Sequence, residues 1–119
     1  MAEHNALGKW GEQLAVDFLL KKGFEILERN WRFQRAEIDI IALKENRLII
    51  VEVKTRSTTA VGVPQDFVSA KKRQLLQQAA VAFVDRYPED VEVQFDIIAI
   101  QKIGKCTEIE HLENAFFYF

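Results

Sequence analysis

The sequence predicts an α/β fold, a mixed β-sheet with helices packed against it, in the order helix, three strands, helix, two strands (αβββαββ). Two segments carry apolar residues at three- and four-residue spacing, which marks a helix with one buried face. The runs between and after them are rich in Ile and Val and are bounded by turn residues. The second helical segment separates the third strand from the fourth. The first three strands therefore form a meander, and the fourth is reached by a crossover.

The first helix is expected over 6–22, where Leu7, Trp10, Leu14 and Phe18 share a stripe and Gly23 supplies the stop. Residues 24–33 follow as a strand with imperfect alternation. The clearest strands are 36–43 and 48–55, joined across Lys44-Glu45-Asn46-Arg47. A loop with Gly62 and Pro64 leads to a helix over 68–86, apolar at Val68, Leu75, Leu76, Ala79 and Phe83 and ended by Tyr87-Pro88. Residues 91–101 read as the fourth strand and 107–118 as the fifth, with turn signals at Gly104-Lys105. No repeat or linker divides the chain, and 119 residues suffice for one core, so residues 1–119 read as a single domain.

Composition narrows the function. Sixteen Lys and Arg against 18 Asp and Glu leave a net charge of −2, so no global basic field points to nucleic acid. Such a partner would have to be held by a local basic surface. A single cysteine, Cys106, excludes an internal disulfide and favours a reducing compartment. Met1 to Trp10 lack the basic-then-apolar pattern of a signal peptide, and no apolar run approaches the length of a membrane span. The expectation is a cytoplasmic protein.

The informative feature is the hairpin. Along 48–56, Leu48, Ile50, Glu52, Lys54 and Arg56 share one face, and Ile49, Val51, Val53 and Thr55 the other. Both faces begin apolar, as in a central strand covered on both sides, and then one turns abruptly to Glu, Lys and Arg. A charge there costs several kcal/mol unless it is paired, solvated or bound to metal. The preceding strand repeats the pattern, with Glu37, Asp39 and Ile41 on one face and Ile38, Ile40 and Ala42 on the other. A turn symmetric about Glu45 and Asn46 sets Asp39 opposite Glu52 and Glu37 opposite Lys54. Directly opposed Cβ atoms lie about 4.5–5.5 Å apart, and like charges there repel. Two carboxylates so placed need a cation or a shared proton. Hard oxygen ligands with no His or Cys nearby favour Mg²⁺ or Mn²⁺ over zinc. Lys54, two residues along, completes a phosphoryl-transfer set. The plainer alternative is a solvated set of cross-strand ion pairs.

The residues at these positions also carry a family resemblance. Asp39 followed by Glu52-Val53-Lys54 at a strand end resembles the PD-(D/E)XK nuclease superfamily. Gly8-Lys9-Trp10-Gly11-Glu12 with Ala15, Asn30-Trp31-Arg32, Glu37-Ile38-Asp39-Ile40-Ile41, Val51-Glu52-Val53-Lys54-Thr55-Arg56, Val68 with Lys72, and Phe95-Asp96 together resemble the YraN-like family of bacterial endonucleases, over nearly the whole chain. Ala36 stands where that family usually has Gly, and Gln94 where Arg is common. The resemblance implies a restriction-endonuclease-like fold for this single domain. It also implies a metal-dependent endonuclease with Asp39, Glu52 and Lys54 catalytic, and it adds Glu12 to Asp39 and Glu52 as metal ligands. The alternative for Glu12 is an acidic residue favoured near a helix N-terminus. The alternative function is a nucleic-acid-binding module with the same fold and little or no cleavage.

Arg32, Arg56 and Lys72 are the expected nucleic-acid contacts, by family position, within a wider basic set whose other reading is a solvated surface of mixed charge. Lys72 falls on the apolar side of its helix, an odd place for an idle charge. The expected partner is nucleic acid, DNA before RNA, with a homodimer also open. Trp10 and Trp31 are expected in the core rather than stacked on bases. His4 and His111 look too isolated for zinc or triad chemistry. The terminal Phe116-Phe117-Tyr118-Phe119 is expected to pack on the sheet or on a partner subunit.

Overall fold

The computed structural model describes residues 2–57 and 68–116, with side-chain environments from Ala6 onward. Helix α1 (Ala2–Lys21) precedes β1 (Glu25–Phe33), β2 (Ala36–Lys44) and β3 (Arg47–Ser57); α2 (Ala70–Arg86) then leads to β4 (Glu92–Ile103) and β5 (Cys106–Phe116). The strands form one sheet in the order β1-β2-β3-β4-β5, antiparallel except for the parallel β3–β4 pair that the α2 crossover requires. This is the expected mixed α/β architecture. The loop at Gly62 and Pro64, the side chain of His4 and the terminal residues 117–119 lie outside the described residues.

Helix α2 starts two residues later than its apolar pattern indicates. Ser69 is extended, and its hydroxyl accepts the Lys72 N–H at 3.2 Å, so it caps the helix. Val68 is buried just ahead of that cap. The two helices cover opposite faces. On one side Ala15, Val16 and Leu19 of α1 meet Ile40, Ala42, Ile49, Val51, Ile98 and Ile100. On the other, Leu76, Ala79 and Ala80 of α2 meet Ile38, Ile41, Leu48, Ile50, Phe95 and Ile97. Each such Ile or Leu contributes about 1.5–3 kcal/mol by leaving water. Trp10, Leu14 and Phe18, which outline the α1 stripe in sequence, pack at the edge of the first cluster rather than at its centre. Trp31 packs against the second cluster edge-on to Phe83 with ring centroids 5.3 Å apart, so both tryptophans serve the core. Among the described residues, no helix is long and apolar enough to cross a membrane.

The β2–β3 turn consists of Glu45 (φ 50°) and Asn46 (φ 68°). This is a two-residue turn of the mirror-image type whose twist matches the sheet. It sets Lys44 opposite Arg47 and carries the ladder back through Ile41–Ile50 to Ile40–Val51, the alignment expected from a symmetric turn. There the ladder stops. β3 continues to Ser57 paired only with β4, while β2 turns toward β1.

Candidate functional site

The candidate site lies in this fork. Beyond Ile40–Val51, the β3 backbone on its β2 side has no strand partner among the described residues, and the Val53 N–H is taken by a side chain: it donates to Asp39 Oδ2 at 2.8 Å. The Asp39 level is also where alternation slips. Ala36 and Ile38 share the α2-side cluster with Ile41, whereas Ile40 joins the α1 side. Opposite this step, Asn30 of β1 has φ 52°. Three expectations therefore need correction. Ile38 does not share a face with Ile40 and Ala42. Asp39 and Glu52 are brought together by the fork and the Asp39–Val53 bond, not as rungs of a continuous ladder. Glu37 does not face Lys54 either; it pairs with Arg32 of β1 at 3.3 Å.

Glu12, Asp39, Glu52, Lys54 and Lys72 line one groove of about 320 Å³, with Gly8 of α1 at its wall. Glu12 is in this groove because α1 rides directly on β3: a Cβ on Gly11 would lie 2.8 Å from Thr55 Cβ and closer still to the Thr55 hydroxyl. Only glycine permits that approach. A second groove of about 270 Å³ opens beside it, between β2 and the start of α2, with Asp39 and Lys72 belonging to both. Arg32 is exposed on β1 and lines neither groove. Arg56 is exposed two residues past Lys54 on β3.

Glu52 is 3% exposed. Its Oε2 pairs with the Lys72 ammonium and lies 3.8 Å from Lys54 Nζ, while its Oε1 is buried with no hydrogen-bond partner among the described residues. Burial first, and the Glu52 charge second, push the Asp39 carboxyl up from 3.8 to about 8; the Val53 N–H opposes this and Glu12 adds to it. Burial pulls the Lys72 ammonium down, but the hydrogen bond and charge of Glu52, helped by Asp39 and Glu37, outweigh it and hold the group above 10.5. The site thus holds two neighbouring carboxyl groups, with one buried oxygen that has no hydrogen-bond partner among the described residues. That donor set suits a small hard cation. As the side chains stand, no three His, Cys, Asp or Glu groups among the described residues converge to enclose one.

Sequence reasoning missed the pairing of Lys72 with Glu52. The apolar-side position of Lys72 was the available signal. It also underrated His111. Among the described residues, His111 Nε2 meets the fully buried Asp96 Oδ2 at 2.7 Å, Lys22 Nζ meets its Nδ1 at 3.1 Å, and the rings of Phe18 and Phe24 lie edge-on to it. Asp96 Oδ1 further accepts from Gln94 Nε2 at 2.9 Å and from the Asn114 N–H at 3.1 Å, and Arg47 donates to Gln94 Oε1 at 3.2 Å. Gln94, at the position where Arg is common in the resembled family, thus relays Arg47 to Asp96. Setting the β4–β5 turn at Gly104-Lys105 would have put His111 within diagonal cross-strand reach of Asp96.

Residues 11–100 match the profile of the Uncharacterised protein family UPF0102, a span that includes Glu12, Asp39, Glu52, Lys54, Lys72 and Asp96. The UPF0102 protein of Flavobacterium psychrophilum is 60% identical over 119 residues, and that of Flavobacterium johnsoniae 54% over 123 residues, each alignment covering 100% of both chains. The UPF0102 protein of Bacteroides thetaiotaomicron is 45% identical, over 98% of this chain and 97% of its own. The chain belongs to the UPF0102 family.

Proposed function

We propose that the protein is a Mg²⁺- or Mn²⁺-dependent endonuclease of restriction-endonuclease-like fold, within the PD-(D/E)XK superfamily, that hydrolyses phosphodiester bonds in DNA or structured nucleic acid. The observation that carries this reading is the Asp39–Glu52 pair: two carboxyl groups in one groove, one oxygen buried with no partner among the described residues, with Lys54 beside them. The pair sits where β2 and β3 part, with Asp39 on β2 and Glu52 midway along β3, so that side chains of both strands can converge on a ligand there. Asp39 and Glu52, with Glu12 behind them, would hold the cation. A divalent cation bound there supplies electrostatic stabilisation of the charge that builds on the phosphoryl oxygens. Lys54 orients the attacking water and offsets that same charge. Arg56 and Lys72 contribute to the local positive surface that the overall charge of −2 does not supply.

A second reading, a nucleic-acid-binding module with little cleavage, has one observation in its favour: Lys72 already gives Glu52 a counter-charge. Two measurements separate the readings. The first is Mn²⁺ binding by calorimetry. The second is cleavage of branched and single-stranded DNA by wild type, Asp39→Ala and Lys54→Ala. The nuclease reading expects cation-dependent cleavage that both substitutions abolish. Cleavage surviving both belongs to a contaminant and removes the catalytic assignment. Cation binding with no cleavage on any substrate favours the binding module.

A further inference from the structure

The nuclease reading does not account for the ion pair between Lys72 and Glu52. Lys72 belongs to the first turn of α2, points away from solvent onto Glu52 Oε2, and stands at the junction of the two grooves. Its side chain is nonetheless 42% exposed, so the ammonium has a route out of the carboxylate pair that the 3%-exposed Glu52 lacks. The groove on its other side has an apolar floor of Leu75 and Leu76 and a rim that includes Arg35 and Lys71. An ammonium and a divalent cation cannot both sit on one small oxygen cluster, because each raises the electrostatic energy of the other. Glu52 Oε1, buried without a partner among the described residues, and Asp39, repelled by Glu52, are the oxygens such a cation would complete.

We propose that Lys72 is an exchangeable internal counter-ion. Its ammonium holds the carboxylate pair together while no cation is bound. On cation entry it is released into the groove beside Arg35 and Lys71, where its ligand is a backbone phosphate of nucleic acid. Cation and phosphate binding are then positively coupled through one side chain, and the coupling is reciprocal. This proposal rests on the metal-site reading of Asp39 and Glu52.

The test is Mn²⁺ binding measured by calorimetry on wild type, Lys72→Met, Lys72→Arg, Lys71→Met and Asp39→Ala. Removing the competing ammonium should tighten Mn²⁺ about tenfold in Lys72→Met, while Lys72→Arg and Lys71→Met stay within about twofold of wild type. Lys72→Gln stands in where Lys72→Met does not fold. In parallel, fluorescence anisotropy with a labelled DNA duplex and Ca²⁺ should show a roughly tenfold loss of affinity for Lys72→Met, and a salt dependence weaker by about one ion. In EDTA the loss should shrink to about twofold. Unchanged or weaker Mn²⁺ binding in Lys72→Met overturns the exchange, as does an equal loss of DNA affinity with and without Ca²⁺. Failure of every variant to bind Mn²⁺, or wild-type binding by Asp39→Ala, instead removes the metal site itself, and the exchange with it.

Discussion

Replacing Asp39 with Asn removes a charge and keeps an oxygen to accept the Val53 N–H. In the folded protein the Asp39 carboxyl holds its proton up to about pH 8, because it is buried beside Glu52; in the unfolded chain it releases that proton near 3.8. The native state therefore binds the extra proton between those values, and stability falls as pH rises through the window. One pH unit of such a gap corresponds to about 1.4 kcal/mol, so the cation-free protein loses on the order of 5 kcal/mol by pH 8.5. Asparagine carries no such cost. Even half of it, a few kcal/mol, corresponds to a melting difference of roughly 10 °C for a domain of this size. Thermal unfolding of wild type and Asp39→Asn, followed by circular dichroism in EDTA at pH 4.5, 6.5 and 8.5, reads this directly. The two proteins should melt together at pH 4.5 and diverge as pH rises, with Asp39→Asn the more stable. Mn²⁺ at 100 times Kd should narrow the difference at pH 8.5 by about 2.7 kcal/mol, since it stabilises wild type alone. A difference that is the same at all three pH values, or a less stable Asp39→Asn at pH 8.5, refutes the reasoning.

Lys54→Met should lower cleavage by about 10²–10³-fold, as expected for one stabilising donor, while Mn²⁺ affinity measured by calorimetry stays within about threefold. Gly11→Ala should destabilise by about 1–3 kcal/mol in urea denaturation despite the better helix propensity of alanine, because the added carbon meets Thr55; Thr55→Ala should restore part of it. His111→Ala strands a charge on the fully buried Asp96 and should cost about 3 kcal/mol, again by urea denaturation, with Asp96→Asn in the same background recovering stability. Glu45→Asn with Asn46→Gly should raise the melting temperature by a few degrees, because both positions have positive φ, and should leave Mn²⁺ affinity unchanged.

Much of this molecule was legible one strand at a time. Periodicity located α1, α2 and the strand runs, and the short turn at Glu45-Asn46 was enough to align Ile40 with Val51. The fork beyond that pair was not legible, because its cause is tertiary. Asn30 and Asp39 interrupt the alternation of two neighbouring strands at one level, and neither residue type announces it. Helix faces were read by their largest side chains, so Trp10 and Phe18 stood out, while the centre of the α1 interface is Ala15, Val16 and Leu19. Close approach favours small residues, for the same reason that Gly11 admits Thr55. Asp39, Glu52 and Lys54 were found because charge on an apolar strand is costly and therefore visible. Lys72 could be marked as out of place, but its partner lies on another element. His111 was misjudged because isolation along the chain says nothing about neighbours across a hairpin.

The buried Asp96 has a consequence for how the sheet ends. β5 is an edge strand, and edge strands slip and recruit other chains. Between Ile97–Leu112 and Phe95–Phe116, β5 carries three residues against one on β4, and the amide of Asn114 in that surplus is held by the Asp96 carboxylate. A slip of β5 by one residue would turn His111 outward and leave Asp96 charged in an apolar interior. The carboxylate thus admits one alignment of the last strand and rejects its neighbours. The protrusion it anchors also interrupts the outer rim at residues 113–115, so that stretch offers a second chain no regular row of amides.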